Sequence, residues 1–291
     1  MPSSRVSWIA VLLAAVCVRA GELPERFYAF DNGTGRDQKL PFAEQADLLA
    51  RTGYAGLGIF TGSARIPEML AALDARKLQL VSIYVHSYVD GRAEAIDPGI
   101  PQAIRDLSGR EIMILLTVQG RGPEAEERAV ANVRHVADLA AERKLRVCIY
   151  PHINFYVETT ADALRVVEKA GRPNVGVALN LYHTVAFHLA RCGGEDFDMA
   201  RLIQAALPRL WLVSINGIVR QPNGGAVLER LDRGDYDVGR FLALLNKAGY
   251  TGPVALQSYG VKGGLEENLA RSMAAWRQML GRIAGGSPSR P

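Results

Sequence analysis

Five histidines are spread over 291 residues, and three of them close apolar runs that turn abruptly polar. The run Val147-Cys148-Ile149-Tyr150-Pro151-His152-Ile153-Asn154-Phe155-Tyr156 starts as a buried strand and ends in polar and aromatic side chains. The stretch Leu179-Asn180-Leu181-Tyr182-His183 repeats the pattern, and His86 ends a third such run. Imidazole titrates near neutrality, so a histidine at a strand end can carry a proton without help from a metal. His152 and His183 are therefore the candidate proton carriers, with Lys262 as a cation able to steady an enolate. Other strand-like runs end in Asp31 and Asn32, Gln119 and Arg121, Ser214 and Asn216, and Gln257 and Tyr259. Amides and hydroxyls suit the hydroxyl groups of a sugar, and rings suit its apolar faces. Asp31, His86, Gln119, Tyr150, Asn180, Ser214, Asn216, Gln257 and Tyr259 are accordingly the candidate substrate contacts. Carboxylates are scarce: only Asp31 lies close to a strand end.

These residues need a scaffold that brings many strand ends together. Apolar strand-like runs at 27–30, 55–60, 80–86, 112–118, 147–150, 174–179, 210–215 and 253–259 alternate with amphipathic helical stretches. Pro41 and Gly53 bracket the first helix, and Pro123 opens what reads as the longest one, with Ala129, Val133, Val136, Ala137 and Ala140 as its stripe. Thr159 and Asp162 form a capping box for the helix running to about Lys169. After strand six a Gly-containing loop leads to a helix over about 197–206, and 218–237 reads as a long loop over the pocket. Eight alternations predict one closed (β/α)8 TIM barrel with its chemistry at the carboxyl ends of the strands. No G-x-G-x-x-G follows the first strand, which argues against an open dinucleotide-binding sheet.

Composition is that of a globular protein, 48% hydrophobic and 22% charged, and the net charge of +4 comes from dispersed residues. That pattern gives no basis for nucleic-acid binding. Residues 1–20 read as a signal peptide: Arg5, then an apolar run over 8–18, then Val18-Arg19-Ala20 as a cleavage site. The expected organisation is a signal peptide at 1–20, a barrel domain at 21–283 and a disordered tail at 284–291. The mature protein is expected to be exported, periplasmic or secreted, and not stably inserted in a membrane; an uncleaved anchor or lipoprotein is the lesser alternative. Cys148 and Cys192 are not expected to pair. Homo-oligomerisation is compatible with the sequence but not indicated by it.

Gly53-Tyr54-Ala55-Gly56, Tyr150-Pro151-His152, Asn174-Val175-Gly176-Val177, Leu179-Asn180-Leu181-Tyr182-His183, Gly234-Asp235-Tyr236-Asp237 and Ala248-Gly249-Tyr250-Thr251-Gly252-Pro253 resemble the xylose-isomerase-like barrels. This superfamily contains sugar isomerases and epimerases, and its members place Glu, Asp, His and Glu at the ends of strands five to eight as metal ligands. The resemblance puts Tyr150, Asn180, Ser214 and Gln257 at those positions, while His152 and His183 match the family's histidines. Four neutral side chains are poor ligands for a hard divalent cation. No cofactor is therefore expected, although three imidazoles from His86, His152 and His183 would be enough for zinc. The resemblance implies an isomerase, epimerase or lyase-like enzyme acting on a small-molecule carbohydrate by proton transfer next to a carbonyl. The alternative is a catalytically silent sugar-binding protein on the same fold.

Overall fold

The computed structural model describes residues 22–60, 65–192 and 197–285. The expected signal peptide and residues 286–291 of the tail lie outside these. Eight parallel strands close a barrel: β1 (Phe27–Phe30), β2 (Gly56–Ile59), β3 (Gln79–Tyr88), β4 (Met113–Gln119), β5 (Arg146–Ile149), β6 (Val175–Asn180), β7 (Leu210–Ile215) and β10 (Val254–Leu256). The order around the barrel follows the chain, and β10 returns to pair with β1. Between the strands run α1 (Phe42–Thr52), α2 (Ile66–Asp74), α3 (Ile100–Asp106), α4 (Ala125–Ala141), α5 (Thr160–Ala170), α6 (Leu181–Arg191), α7 (Met199–Ala206) and α8 (Val238–Ala248), and α9 (Leu265–Ala284) closes the chain.

Two buried layers follow from the alternation of side chains along each strand. Tyr28, Phe30, Val81, Met113, Leu115, Cys148, Tyr150, Ala178, Leu212 and Ala255 fill the barrel interior. Their neighbours, such as Val147, Ile149, Val177 and Val213, face the helices in a larger shell. The odd-numbered and even-numbered residues of β5 thus have different fates, and Tyr150 is carried inward. Tight strand contact is needed at Gly56, where a Cβ would lie 1.9 Å from the Gln79 carbonyl oxygen. Closure is completed outside the sheet by Trp276 of α9, fully buried and stacked on Phe27 at 4.5 Å, with its indole N–H donating to Glu25 O at 3.2 Å.

Three local expectations change. Residues 181–191, read as a strand end and loop, form α6, because Asn180 caps a helix by accepting from the His183 N–H at 2.9 Å. The long loop over 218–237 contains an antiparallel hairpin, β8 (Gly217–Arg220) and β9 (Ala226–Glu229). Among the described residues the longest helix is α9, 20 residues, and not α4, 17 residues; α9 runs to Ala284, one residue beyond the expected domain end. The capping box at Thr159 and Asp162 forms as expected. Cys148 and Cys192 are both free. Among the described residues no helix is long and apolar enough to cross a membrane.

Candidate active site

The strand ends surround a cavity of about 490 Å³ lined by residues of β1, β2, β3, β5, β6 and β10 loops and by the β8–β9 hairpin. Six of the expected site residues line it: His86, Tyr150, His152, His183, Gln257 and Tyr259. Asn180 lies buried against Tyr150. Gln119 bonds the ring of His86, which also contacts Thr117 Oγ1 at 2.8 Å. The remaining residues have other placements. Asp31 is 1% exposed, accepts from the Phe60 N–H at 3.1 Å and pairs with Arg36 at 3.4 Å, so it braces β1 against the end of β2. Asn216 is fully buried and donates to Gly217 O at 2.7 Å at the base of the hairpin. Lys262 is exposed and does not line the cavity; its carbonyl accepts from Asn268. The segment 218–237, expected over the pocket, lines it through Ala226–Leu228, whereas Phe60, Tyr84 and Arg36 were not anticipated as lining. The hairpin's contribution follows from chain reversal, which has no local signal beyond Pro222-Asn223-Gly224-Gly225.

His152 and His183 pack closely, with ring centroids 3.8 Å apart and planes tilted by 41°. Phe155 stacks on the other side of His152 at 4.0 Å. The His152 loop is tight: His152 N–H donates to Val157 O, and the N–H groups of Tyr156 and Val157 both donate to Val118 O at the end of β4. His152 Nδ1 lies 2.8 Å from Ile153 O. A carbonyl oxygen can only accept, so Nδ1 carries the proton and Nε2 of the neutral ring is left as the basic nitrogen. Burial holds the His152 pKa below the ordinary imidazole value, and the His86 charge acts the same way. Burial holds His183 well below it, with His152 adding to the effect, and its Nδ1 is buried with no hydrogen-bond partner. Two imidazoles this close cannot both be cationic, and both are neutral at pH 7.

Beside the pair is a neutral hydrogen-bonded cluster whose orientation is set by backbone groups. Asn180 Oδ1 accepts from the His183 N–H, so its Nδ2 is the end that donates to the Tyr150 phenol. Gln257 Oε1 accepts from Asn32 Nδ2 and from the Ser258 N–H at 3.0 Å, which turns its own Nε2 the other way. Burial raises the Tyr150 pKa while Ser214, Asn180 and Gln257 act against that rise without cancelling it, so the phenol keeps its proton. Ser214 Oγ sits near the phenol but has no partner at full hydrogen-bonding geometry.

This donor set does not fit the divalent cation that the superfamily uses. The two carboxamide oxygens are already engaged by N–H donors, and Tyr150 is a protonated phenol. The groups thus offer O–H and N–H where a hard cation needs anionic oxygen or imidazole. Among the described residues, no group of three or more His, Cys, Asp or Glu side chains is placed to hold a metal ion.

A closed eight-stranded α/β barrel with its cavity at the carboxyl ends of the strands defines the architecture. The family model for the xylose isomerase-like TIM barrel matches residues 46–279, and the chain belongs to that family. It is 24% identical over 271 residues to a Homo sapiens protein named "Putative hydroxypyruvate isomerase", covering 81% of this chain and 92% of that one. Among solved structures it resembles 3-keto-D-glucoside 4-epimerase from E. coli, with a TM-score of 0.66 and 17% identity over 82% of this chain and 94% of that one. It also resembles D-allulose 3-epimerase from Methylomonas sp., with a TM-score of 0.65 and 17% identity over 89% of this chain and 99% of that one.

Proposed function

We propose that this protein is an isomerase or epimerase of sugars or keto-sugars that moves a proton next to a carbonyl without the family's divalent metal. The observation that carries this reading is the His152 ring, whose Nδ1–H is tied to Ile153 O so that a basic Nε2 is available at the cavity. In this reading Nε2 takes the proton from the carbon beside the carbonyl and the electron pair moves onto the carbonyl oxygen. The Tyr150 hydroxyl and the Gln257 amide donate hydrogen bonds to that oxygen as it becomes negative. His183, neutral and packed on His152, shields the pair from water. Delivery of the proton to the former carbonyl carbon, with the hydroxyl proton passing from one oxygen to the other, gives isomerisation, and protonation of the original carbon from the opposite face by a water molecule gives epimerisation. The isomerase and epimerase names of the relatives support the class, and the neutral donor cluster supports the metal-independent form.

A screen of keto-sugars, followed by proton NMR in D2O, tests it. Wash-in of one deuterium at the carbon next to the carbonyl is expected, with the rate unchanged by EDTA. His152→Ala should lower kcat by about 10²–10⁴, the usual contribution of a positioned general base. Sugar binding with no exchange in the native protein would instead favour the silent sugar-binding reading. Stoichiometric manganese, zinc or magnesium retained through gel filtration would overturn the metal-independent form.

A further inference from the structure

Two large hydrophobic side chains are exposed among the described residues, Val227 at 47% and Tyr259 at 66%, and both line this one cavity. They come from separate segments, Val227 from the β8–β9 hairpin and Tyr259 from the loop after β10, so no single element explains their coincidence. Exposed apolar groups are unfavourable in water unless something covers them, and concentration at one place marks a binding surface. Two side chains are far too little for a protein interface, which needs on the order of 1,000 Å². A small apolar group fits them.

The cavity therefore has two zones. Its floor carries His152, His183, Tyr150 and Gln257, while its rim carries Val227 and Tyr259. The only charged side chain in the described lining is Arg36, already paired with Asp31 and Asp37. A volume of about 490 Å³ lies in the range that holds drug-sized ligands, larger than a single pyranose ring. A free monosaccharide on the floor would leave the rim wet.

We infer that the substrate is a glycoside: a sugar ring on the polar floor joined to an uncharged, apolar or aromatic group held between Val227 and Tyr259. This rests on the carbohydrate reading above and narrows its substrate class. Among the described residues nothing at the rim complements a charged second group, since Arg36 is compensated, so phosphorylated sugars and acidic aglycones are disfavoured. The Tyr259 ring offers a face for stacking at little entropic cost, because a tyrosine has few rotatable bonds.

Isothermal titration calorimetry with unreactive probes tests this: D-glucose, methyl β-D-glucoside, phenyl β-D-glucoside and phenol alone. Phenyl glucoside should bind about 10-fold more tightly than methyl glucoside, the factor expected from one added aromatic stacking contact. The double variant Val227→Ser with Tyr259→Ala should erase most of that preference. Equal affinity for the two glucosides, or a preference that survives in the double variant, would overturn the inference while leaving the carbohydrate reading intact. Failure of every sugar to bind, with phenol bound alone, would overturn the carbohydrate reading and this inference with it.

Discussion

The two closely packed imidazoles link the chemistry of the site to the stability of the protein. Burial lowers the pKa of both His152 and His183 relative to the unfolded chain. Below the ordinary imidazole pKa of about 6.5 the unfolded state takes up protons that the folded state refuses, so stability must fall with pH there. The loss begins near pH 6.5 and continues down to the folded pKa values, where the folded protein also takes up protons. Thermal melts between pH 8 and pH 5 should show this decline. His183→Gln should flatten it, since that substitution removes the more strongly shifted group. A decline of equal steepness in the variant would mean that other groups govern acid sensitivity. The same pairing limits chemistry: once His152 accepts a proton from substrate, His183 beside it must stay neutral.

At the scale of elements, the site depends on segments held to their neighbours by a few strong contacts. The loop carrying His152 and Phe155 is fastened to α4 by Tyr156, whose hydroxyl donates to Glu126 at 2.7 Å. Burial pushes the Glu126 pKa up, but hydrogen bonds from Lys169, Tyr156 and Arg165 bring it down to about 2, so the anchor stays ionised at any working pH. The opposite wall belongs to the β8–β9 hairpin, and its base is steric. A Cβ at Gly217 would lie 2.2 Å from the carbonyl oxygens of both Arg230 and Arg233, and backbone cannot give way as a flexible side chain can. Gly217→Val should therefore displace the hairpin that supplies Ala226–Leu228 to the cavity. The expected result is a drop of at least about 10-fold in glycoside affinity, equivalent to about 1.4 kcal/mol. The barrel, whose strands do not include this hairpin, should keep its far-ultraviolet circular dichroism. Unchanged affinity would show that the hairpin wall is not needed for binding.

For the whole molecule, the decisive contact is the one that joins the two ends of the described chain. Trp276 of the last helix is buried against Phe27 of the first strand, which itself stacks with Tyr54 at 5.4 Å. Removing that side chain leaves a cavity at the seam where β1 meets β10. Trp276→Ala should cost about 3–5 kcal/mol, the range for deleting a large buried aromatic, and denaturant titration will measure it. The surface ion pairs behave differently. Asp74 with Arg110, Asp138 with Arg172 and Arg65 with Glu68 are largely exposed, and solvent screens such pairs so that each adds little stability. Raising the salt concentration should thus shift the melting temperature little, in contrast to the effect of the seam substitution.

The barrel was legible in the sequence because it is repetitive and locally encoded. Each of eight strands is an apolar run, each helix an amphipathic stretch, and capping residues such as Thr159 and Asp162 fix where helices start. His152, His183, Tyr150 and Gln257 were also legible, since residues at the carboxyl ends of barrel strands must share one face. These features depend on periodicity and on neighbours close along the chain, which is why they can be read without the fold. What the sequence could not determine was direction and cover. Asp31 and Asn216 end strands as the cavity residues do, yet the Phe60 N–H and the Arg36 guanidinium make Asp31 a brace, and Asn216 turns to the neighbouring Gly217 carbonyl. Asn180 ends β6 as expected and also caps α6, and that second role decides which end of its amide meets Tyr150. The rim formed by Val227 and Tyr259 joins residues 32 positions apart in sequence through a hairpin and the strand-to-helix turn after β10. Such contacts arise only when the barrel closes, because their free energy comes from groups that the unfolded chain keeps apart.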